Sequence, residues 1–302
     1  MTPDIPEKFE FRTESYDYIK RTEMIPMRDG VKLYTVIIVP KGAKDAPILL
    51  TRTPYDAKKQ TKRKLSPHVE AITAMMDEPF VSDGYIRVYQ DIRGKHNSEG
   101  DYVATRPLIG PLNQTKVDHS TDAWDTIEWL VKNTPESNGR VGLIGSSYAG
   151  FTVVNALVNS HPALKAAVPQ CPMIDGWMGD DWFHYGAFRQ VNFDYFTKQM
   201  TARKEGEDLP RATFDDYDNY LRGGSAGDFA RAAGLDRIPF WRKIVEHPAY
   251  DAFWQEQALD KIMAKQPLTV PTMWIGVGVI ILLGIGILMA TGRTKMKDPP
   301  ST

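Results

Sequence analysis

The stretch Gly145-Ser146-Ser147-Tyr148-Ala149-Gly150 follows the apolar run RVGLIG and leads into FTVVNALVNSHP, so a serine pair stands where a strand pattern gives way to a helix pattern. A sharp turn there lifts a nucleophile clear of the sheet and crowds its backbone, which requires small residues two before and two after it. Around Ser147 these are Gly145 and Ala149; around Ser146 they would be Ile144 and Tyr148, both too bulky. Ser147 is therefore the candidate nucleophile. The helix behind it begins with amides facing the serine and a partial positive charge, which makes the Tyr148 backbone N–H a candidate oxyanion donor. The competing reading is an ordinary glycine turn between strand and helix. A second donor is expected from the loop after the third strand, where Arg52-Thr53-Pro54-Tyr55 offers the Tyr55 hydroxyl. Taken alone, a tyrosine after a proline is more often a packed loop residue; beside the serine turn the donor reading gains.

The elements that must hold these groups are visible around them. Residues 21 to 40 form two β-rich runs about the turn Arg28-Asp29-Gly30, a hairpin signal. Ala46 to Thr53, APILLTRT, is a short apolar run closed by Pro54 and suits a buried strand. Residues 84 to 91 read as a further strand, and Ser120 to Lys132 as an amphipathic helix with Ser120 or Thr121 available as its cap. A strand follows the elbow at Ala166 to Val168. Strands alternating with helices predict a mostly parallel sheet covered on both faces. Past Pro172 the chain turns rich in Trp, Tyr, Phe, Asp and Arg with helical spacing, as expected of a helical cap, and Leu268 to Trp274 returns it to the sheet. No internal repeat is evident.

Composition narrows the partners. The chain has 302 residues with a formal net charge of -1, so no global field draws in nucleic acid or an anionic membrane, and a small-molecule partner is expected. The single cysteine, Cys171, excludes an internal disulfide framework and is expected as a small buried residue. No cofactor or metal motif is present. The amino terminus lacks an apolar run behind a basic start, so no secretory signal is read there. At the other end no charge occurs between Lys265 and Arg293, and Trp274 to Ala290 is nearly unbroken Ile, Leu, Val, Gly and Met. About 20 such residues cross a bilayer. This run reads as a membrane span, against the alternative of a buried strand and helix. Arg293, Lys295 and Lys297 behind it favour a cytoplasmic carboxy terminus. That orientation conflicts with the lack of an export signal and leaves the compartment undecided.

The segments RTPY, DIRGKHNSEGDY (Asp91 to Tyr102) and GSSYAGF, with APILL and RVGLIG around them, resemble the cocaine esterase and Xaa-Pro dipeptidyl-peptidase superfamily of hydrolases. Within it, PMIDGWMGDDWFHYGAFRQ (Pro172 to Gln190), HPAYDAFW (His247 to Trp254) and ALDKI (Ala258 to Ile262) resemble the cap of the α-amino acid ester hydrolases. The likeness spans roughly residues 20 to 275. It implies an α/β-hydrolase fold with an inserted helical cap. The implied chemistry is acyl transfer through an acyl-enzyme, in which Ser147 attacks an ester or amide carbonyl while the Tyr148 amide and Tyr55 hydroxyl hold the oxyanion. It further implies that carboxylates bind the substrate α-ammonium, and Asp181 in the GDDW segment matches the first of them. A carboxylate beside the acyl pocket would select α-amino acyl groups over neutral ones. Asp180 is the weaker match, and for either residue the alternative is a solvated charge on a cap helix. Asp91 and Arg93 are expected to shape their loop by local hydrogen bonds. Relatives of this kind are periplasmic or secreted, and they oligomerise in some cases.

The resemblance implies a domain order and shows where the chain leaves it. An extension (1–20) precedes the hydrolase core (21–171), the cap (172–265) and a returning core strand (266–275). The family pattern then runs into a turn holding the triad Asp and further carboxylates. Here the chain reads Ile275-Gly276-Val277-Gly278-Val279-Ile280, with Ile280 at the place of the acid, followed by the apolar tail (276–302). No later histidine and no jelly-roll domain follows. The fold is therefore expected to be incomplete and the activity impaired, because a serine without its base is a weak nucleophile at neutral pH. Of the histidines, only His184, placed one helical turn from Asp181, is a substitute worth testing. The alternatives are a catalytically silent, membrane-tethered binding protein or a non-functional fragment.

Overall fold

The computed structural model describes residues 14–276 except 180, 181, 204, 205, 207 and 210. The chain enters as an antiparallel hairpin, β1 (Tyr18–Pro26) and β2 (Lys32–Pro40), turning at Gly30, whose φ of 84° lies in the left-handed region that glycine tolerates. The strands β3 (Ala46–Thr53), β4 (Ile86–Asp91), α1 (His119–Asn133), β5 (Ser137–Ser146), α2 (Tyr148–Val158) and β6 (Leu164–Gln170) with their helices follow in that order. They form one sheet in the order β1-β2-β4-β3-β5-β6. The pairs β4–β3, β3–β5 and β5–β6 are parallel, whereas β1 and β2 run antiparallel to their neighbours.

One face of this sheet is closed by α1 and α2. Ile48, Leu50, Val88, Val141 and Leu143 from the strands meet Ile127, Leu130, Val153 and Leu157 from the helices in one buried cluster. Each such aliphatic side chain contributes about 1.5–3 kcal/mol on burial. The opposite face is covered over β2 and β4, where Val36, Ile38 and Tyr89 pack under Val69, Ile72 and Val81. Over β5 and β6 the expectation of two covered faces is not met: Lys165 and Ala166 are exposed, and Ile144 and Val168 are half-buried. Alternation along the strands sends Ala166 and Val168 to one face, while Lys165 is the extra residue at a register shift in the β5–β6 pairing.

The start of α1 also corrects the sequence reading. Its N-cap is Asp118, not Ser120 or Thr121. The Asp118 carboxylate accepts from the Thr121 N–H at 2.8 Å, and the Thr121 hydroxyl accepts from the Asp118 N–H at 2.8 Å, a reciprocal capping box. The carboxylate adds negative charge at the positive helix end, which favours it over a hydroxyl. Cys171 is exposed, not buried, in the turn between β6 and Pro172, with φ 41°.

Beyond Pro172 lie a two-stranded ribbon, β7 (Phe183–His184) and β8 (Ala187–Phe188), and the helices α3 (Phe193–Met200), α4 (Asp216–Gly223), α5 (Ala226–Ala232) and α6 (Pro239–Glu246). Their own core gathers Trp182, Phe183, Phe193, Leu235, Trp241 and Trp254. The chain then returns alongside β6 in parallel: Ala167 donates to the Pro271 carbonyl at 3.0 Å and Met273 to the Ala167 carbonyl at 2.9 Å. Among the described residues no helix is long and apolar enough to cross a membrane. The apolar run read as a span, and Ile280 with it, lies outside the described residues past Gly276.

Candidate active site

At the end of β5 the backbone reverses within one residue. Ser147 has φ 57° and ψ −122°, a conformation that costs a non-glycine residue on the order of 1–3 kcal/mol. Its neighbours maintain it. The Ser147 N–H donates to the Gln170 carbonyl of β6 at 2.9 Å, and the Ser147 carbonyl accepts from Phe151 at 2.9 Å to begin α2. A Cβ on Gly145 would drive into the Ala149 carbonyl and stand 2.9 Å from the Ala149 Cβ, so Gly145 must be glycine and Ala149 must be small. A Cβ on Gly150 would lie 2.7 Å from the Gln170 carbonyl oxygen. Ser147 is the N-cap of α2 yet makes no side-chain capping bond, which leaves its hydroxyl directed away from the helix end.

Tyr148 opens α2, so its N–H has no carbonyl four residues back within the helix. Its ring is fully buried, edge-on to His119 and Phe151, and its phenolic oxygen accepts from the Thr105 N–H at 2.8 Å. Burial raises the Tyr148 phenol above its ordinary value. The backbone N–H of this residue is thus left without a partner inside its helix, while its side chain is committed to packing and to Thr105.

The Tyr55 hydroxyl lies 3.5 Å from Ser147 Oγ. That exceeds the span of about 2.5–3.0 Å for a formed O–H···O bond, so the two face each other across a gap. The loop that carries Tyr55 is fixed residue by residue. The Arg52 carbonyl accepts from the Thr152 hydroxyl of α2 at 3.0 Å, and the Pro54 carbonyl lies 2.7 Å from His96 Nε2. Tyr55 N donates to Thr53 Oγ1 at 3.0 Å, and Gln60 Nε2 donates to the Tyr55 carbonyl at 3.3 Å. Beneath it Arg52, 0% exposed, donates to Gln90 Oε1 at 2.9 Å and to the His119 carbonyl at 2.8 Å, and pairs with Asp122 at 3.6 Å. Burial lowers the Arg52 pKa, with the Asp122 charge acting against it.

Asp91 shapes its loop locally as expected through Asn97, whose N and Nδ2 each donate to it at 3.3 Å, and it also accepts from the distant Ala57 N–H at 2.6 Å. Burial raises its pKa and these bonds oppose the rise. Arg93 departs from that expectation because its partners are distant in sequence: Asp29 of the hairpin turn at 2.7 Å and Asp122 of α1 at 2.6 Å. Burial alone would lower the Arg93 pKa, and the two carboxylates carry it above its ordinary value.

Asp181 and Asp180 lie outside the described residues. His184 is not on a helix as the expected spacing required: it belongs to strand β7, paired with Ala187, and is exposed. Among the described residues no histidine hydrogen-bonds Ser147. His68 meets Asp17, His161 meets Glu128 and His247 meets Asp251. His119 is buried behind the elbow with neither ring nitrogen hydrogen-bonded among the described residues, its pKa pushed down by burial and by Arg52, Arg106 and Arg93. Among the described residues no group of three His, Cys, Asp or Glu is placed to hold a metal ion.

The structure adds a residue the sequence did not single out. Tyr195 of α3 places its hydroxyl 2.9 Å from that of Tyr55, and Gln199 Nε2 donates to the Tyr195 oxygen at 3.1 Å. Helix α3 is held there by Lys95, 1% exposed, whose Nζ donates to the Thr201 carbonyl at 2.6 Å and the Lys198 carbonyl at 3.2 Å. Tyr55, Tyr195 and Gln199 share a cavity of about 430 Å³ with Lys95 and His96. A larger cavity of about 740 Å³, lined by Tyr102, Phe240 and Phe253 among others, includes neither Ser147 nor Tyr55.

The family described as X-Pro dipeptidyl-peptidase (S15 family) matches residues 29–277, which take in every residue of this site. The chain belongs to that family. The cocaine esterase of Rhodococcus sp. (strain MB1 Bresler) is 30% identical over 248 residues, covering 78% of this chain and 40% of the relative. A selenomethionine-labelled α-amino acid ester hydrolase of known structure is 68% identical with a TM-score of 0.89, covering 91% of this chain and 45% of that one. An aminopeptidase from a marine sediment Thaumarchaeota archaeon is 53% identical with a TM-score of 0.87, over the same shares of the two chains, 91% and 45%. These neighbours share the mixed α/β fold, and this S15-family chain spans less than half the length of each of the three.

Proposed function

We propose that this chain carries the nucleophile and oxyanion half of a serine hydrolase that transfers the acyl group of α-amino acid esters or amides through an acyl-enzyme. The observation that supports it most directly is the strained Ser147 backbone, held by Gly145 and Gln170, with its hydroxyl 3.5 Å from that of Tyr55. The 68% identity to a protein named as an α-amino acid ester hydrolase supports the choice of acyl group.

In this reading Ser147 Oγ attacks the carbonyl carbon, and the carbonyl electron pair moves onto oxygen. The Tyr148 N–H and the Tyr55 hydroxyl donate to that oxygen as its charge grows. Donors fixed before the reaction need no reorganisation when the charge appears, which is why such sites lower barriers. Asp181 pairs with the substrate α-ammonium. The Ser147 proton requires a base that is not among the described hydrogen-bond partners of Ser147, so turnover by this chain alone is expected to be slow.

The test is labelling of the purified chain with a fluorophosphonate, run beside hydrolysis of an α-amino acid p-nitrophenyl ester. Covalent labelling that maps to Ser147 and disappears in Ser147→Ala is expected. A chain that is folded yet neither labels nor turns over the ester would remove the reading.

A further inference from the structure

We propose that Tyr195 and Gln199 are positioning residues that aim and polarise the Tyr55 hydroxyl toward the oxyanion site, an inference that rests on the hydrolase reading above. Three oxygen and nitrogen atoms lie in sequence behind Ser147: Gln199 Nε2 is 3.1 Å from the Tyr195 oxygen, which is 2.9 Å from the Tyr55 oxygen, which is 3.5 Å from Ser147 Oγ. An amide nitrogen only donates. The Tyr195 oxygen therefore accepts from Gln199; the 2.9 Å contact permits either hydroxyl as donor, and the relay is the arrangement in which Tyr195 donates to Tyr55. In that arrangement one lone pair of Tyr55 is engaged and its proton is left for the oxygen on the Ser147 side, 3.5 Å away.

Every donor in the row then points the same way, and each bond polarises the next O–H, so that Tyr55 becomes a stronger donor than an isolated tyrosine. Gln199 is 3% exposed and Tyr55 and Tyr195 are half-buried, so the row runs from a buried amide to the cavity at Tyr55. The Lys95 bonds to the carbonyls at the end of α3 keep the row in place. During attack no proton leaves Tyr55: the Ser147 oxygen bonds to carbon, the carbonyl pair becomes the oxyanion, and Tyr55 donates to it. The opposite polarity, with Tyr55 donating to Tyr195, would withdraw that hydroxyl from the site.

The experiment is a double-mutant cycle on the whole chain, read as the rate of fluorophosphonate labelling of Ser147 and as kcat and KM for an α-amino acid ester. Tyr195→Phe is expected to label about fivefold more slowly, the effect of losing one hydrogen bond, with KM unchanged. Gln199→Leu is expected to act in the same direction. Neither substitution should slow labelling further in a Tyr55→Phe background, whereas a merely structural role would. Labelling of Tyr195→Phe and Gln199→Leu at the unsubstituted rate or faster, or equal losses in both backgrounds, overturns the relay alone. Absence of labelling in the unsubstituted chain overturns the hydrolase reading and the relay together.

Discussion

The Thr152 hydroxyl reaches the Arg52 carbonyl oxygen at 3.0 Å, joining the helix that starts at the nucleophile to the loop that carries Tyr55. The same hydroxyl lies 2.8 Å from the Ala149 carbonyl, so it bridges the first turn of α2 and the end of β3. Thr152→Val keeps the shape and removes the bridge. It is expected to cost about 0.5–1.5 kcal/mol in urea unfolding and to slow Ser147 labelling. Labelling at the unsubstituted rate would show that the bridge does not set the Tyr55 position.

Tyr55→Phe removes one oxyanion donor and leaves the ring. Loss of a single such donor lowers rates by about 10²–10³, so the fluorophosphonate reaction is expected to slow by that order with unfolding unchanged. A loss under threefold would place Tyr55 outside the machinery.

Gly145→Ala inserts a Cβ against the Ala149 carbonyl and 2.9 Å from the Ala149 Cβ. Backbone crowds it on that side, so the elbow itself must move. A cost of about 1–3 kcal/mol in chemical unfolding is expected, together with loss of labelling. Full labelling in a stable Gly145→Ala protein would contradict the tight elbow.

Lys95→Met removes the ammonium that binds the Thr201 and Lys198 carbonyls while keeping an apolar stem. Hydrogen bonds from a charged donor are worth about 1.5–3 kcal/mol, so amides of α3 are expected to exchange faster by the corresponding factor while those of β3 and β5 hold their protection. Uniform loosening across the molecule would argue against a local latch.

Lys20 supplies a pH dependence. Burial, then Lys62 and Lys58, lower its pKa from 10.5 to about 8. The unfolded chain therefore binds more protons at this site between those values, and stability rises with pH across that window. Below pH 8 the penalty for holding the charged form is complete. Urea midpoints measured from pH 7.5 to 9.5 are expected to climb in the unsubstituted chain and to climb less in Lys20→Met. Parallel profiles would show that Lys20 is not the source.

What could be read in advance was what is local in sequence. The hairpin about Arg28-Asp29-Gly30, the strand Ala46–Thr53 and the small residues flanking Ser147 each carry their signal within a few positions. Ser120 and Thr121 both have good capping chemistry, and it is the extended backbone at Asp118, with the helix already begun at His119, that decides against them. Arg93 was read as a loop residue, yet its partners stand 64 and 29 positions away. Tyr195 left no trace beside its motif, since its contact with Tyr55 spans 140 positions and depends on where the cap comes to rest. Cys171 was misjudged from composition, which knows nothing of the turn before Pro172.

The positive φ at Ser147 carries a consequence for evolution and for engineering. Glycine occupies that region freely, so exchanging this serine for glycine should make the polypeptide harder to melt while erasing its reactive oxygen. A screen that scores heat resistance alone would drift toward the inert version, and any programme to toughen this protein has to score covalent reactivity in the same round.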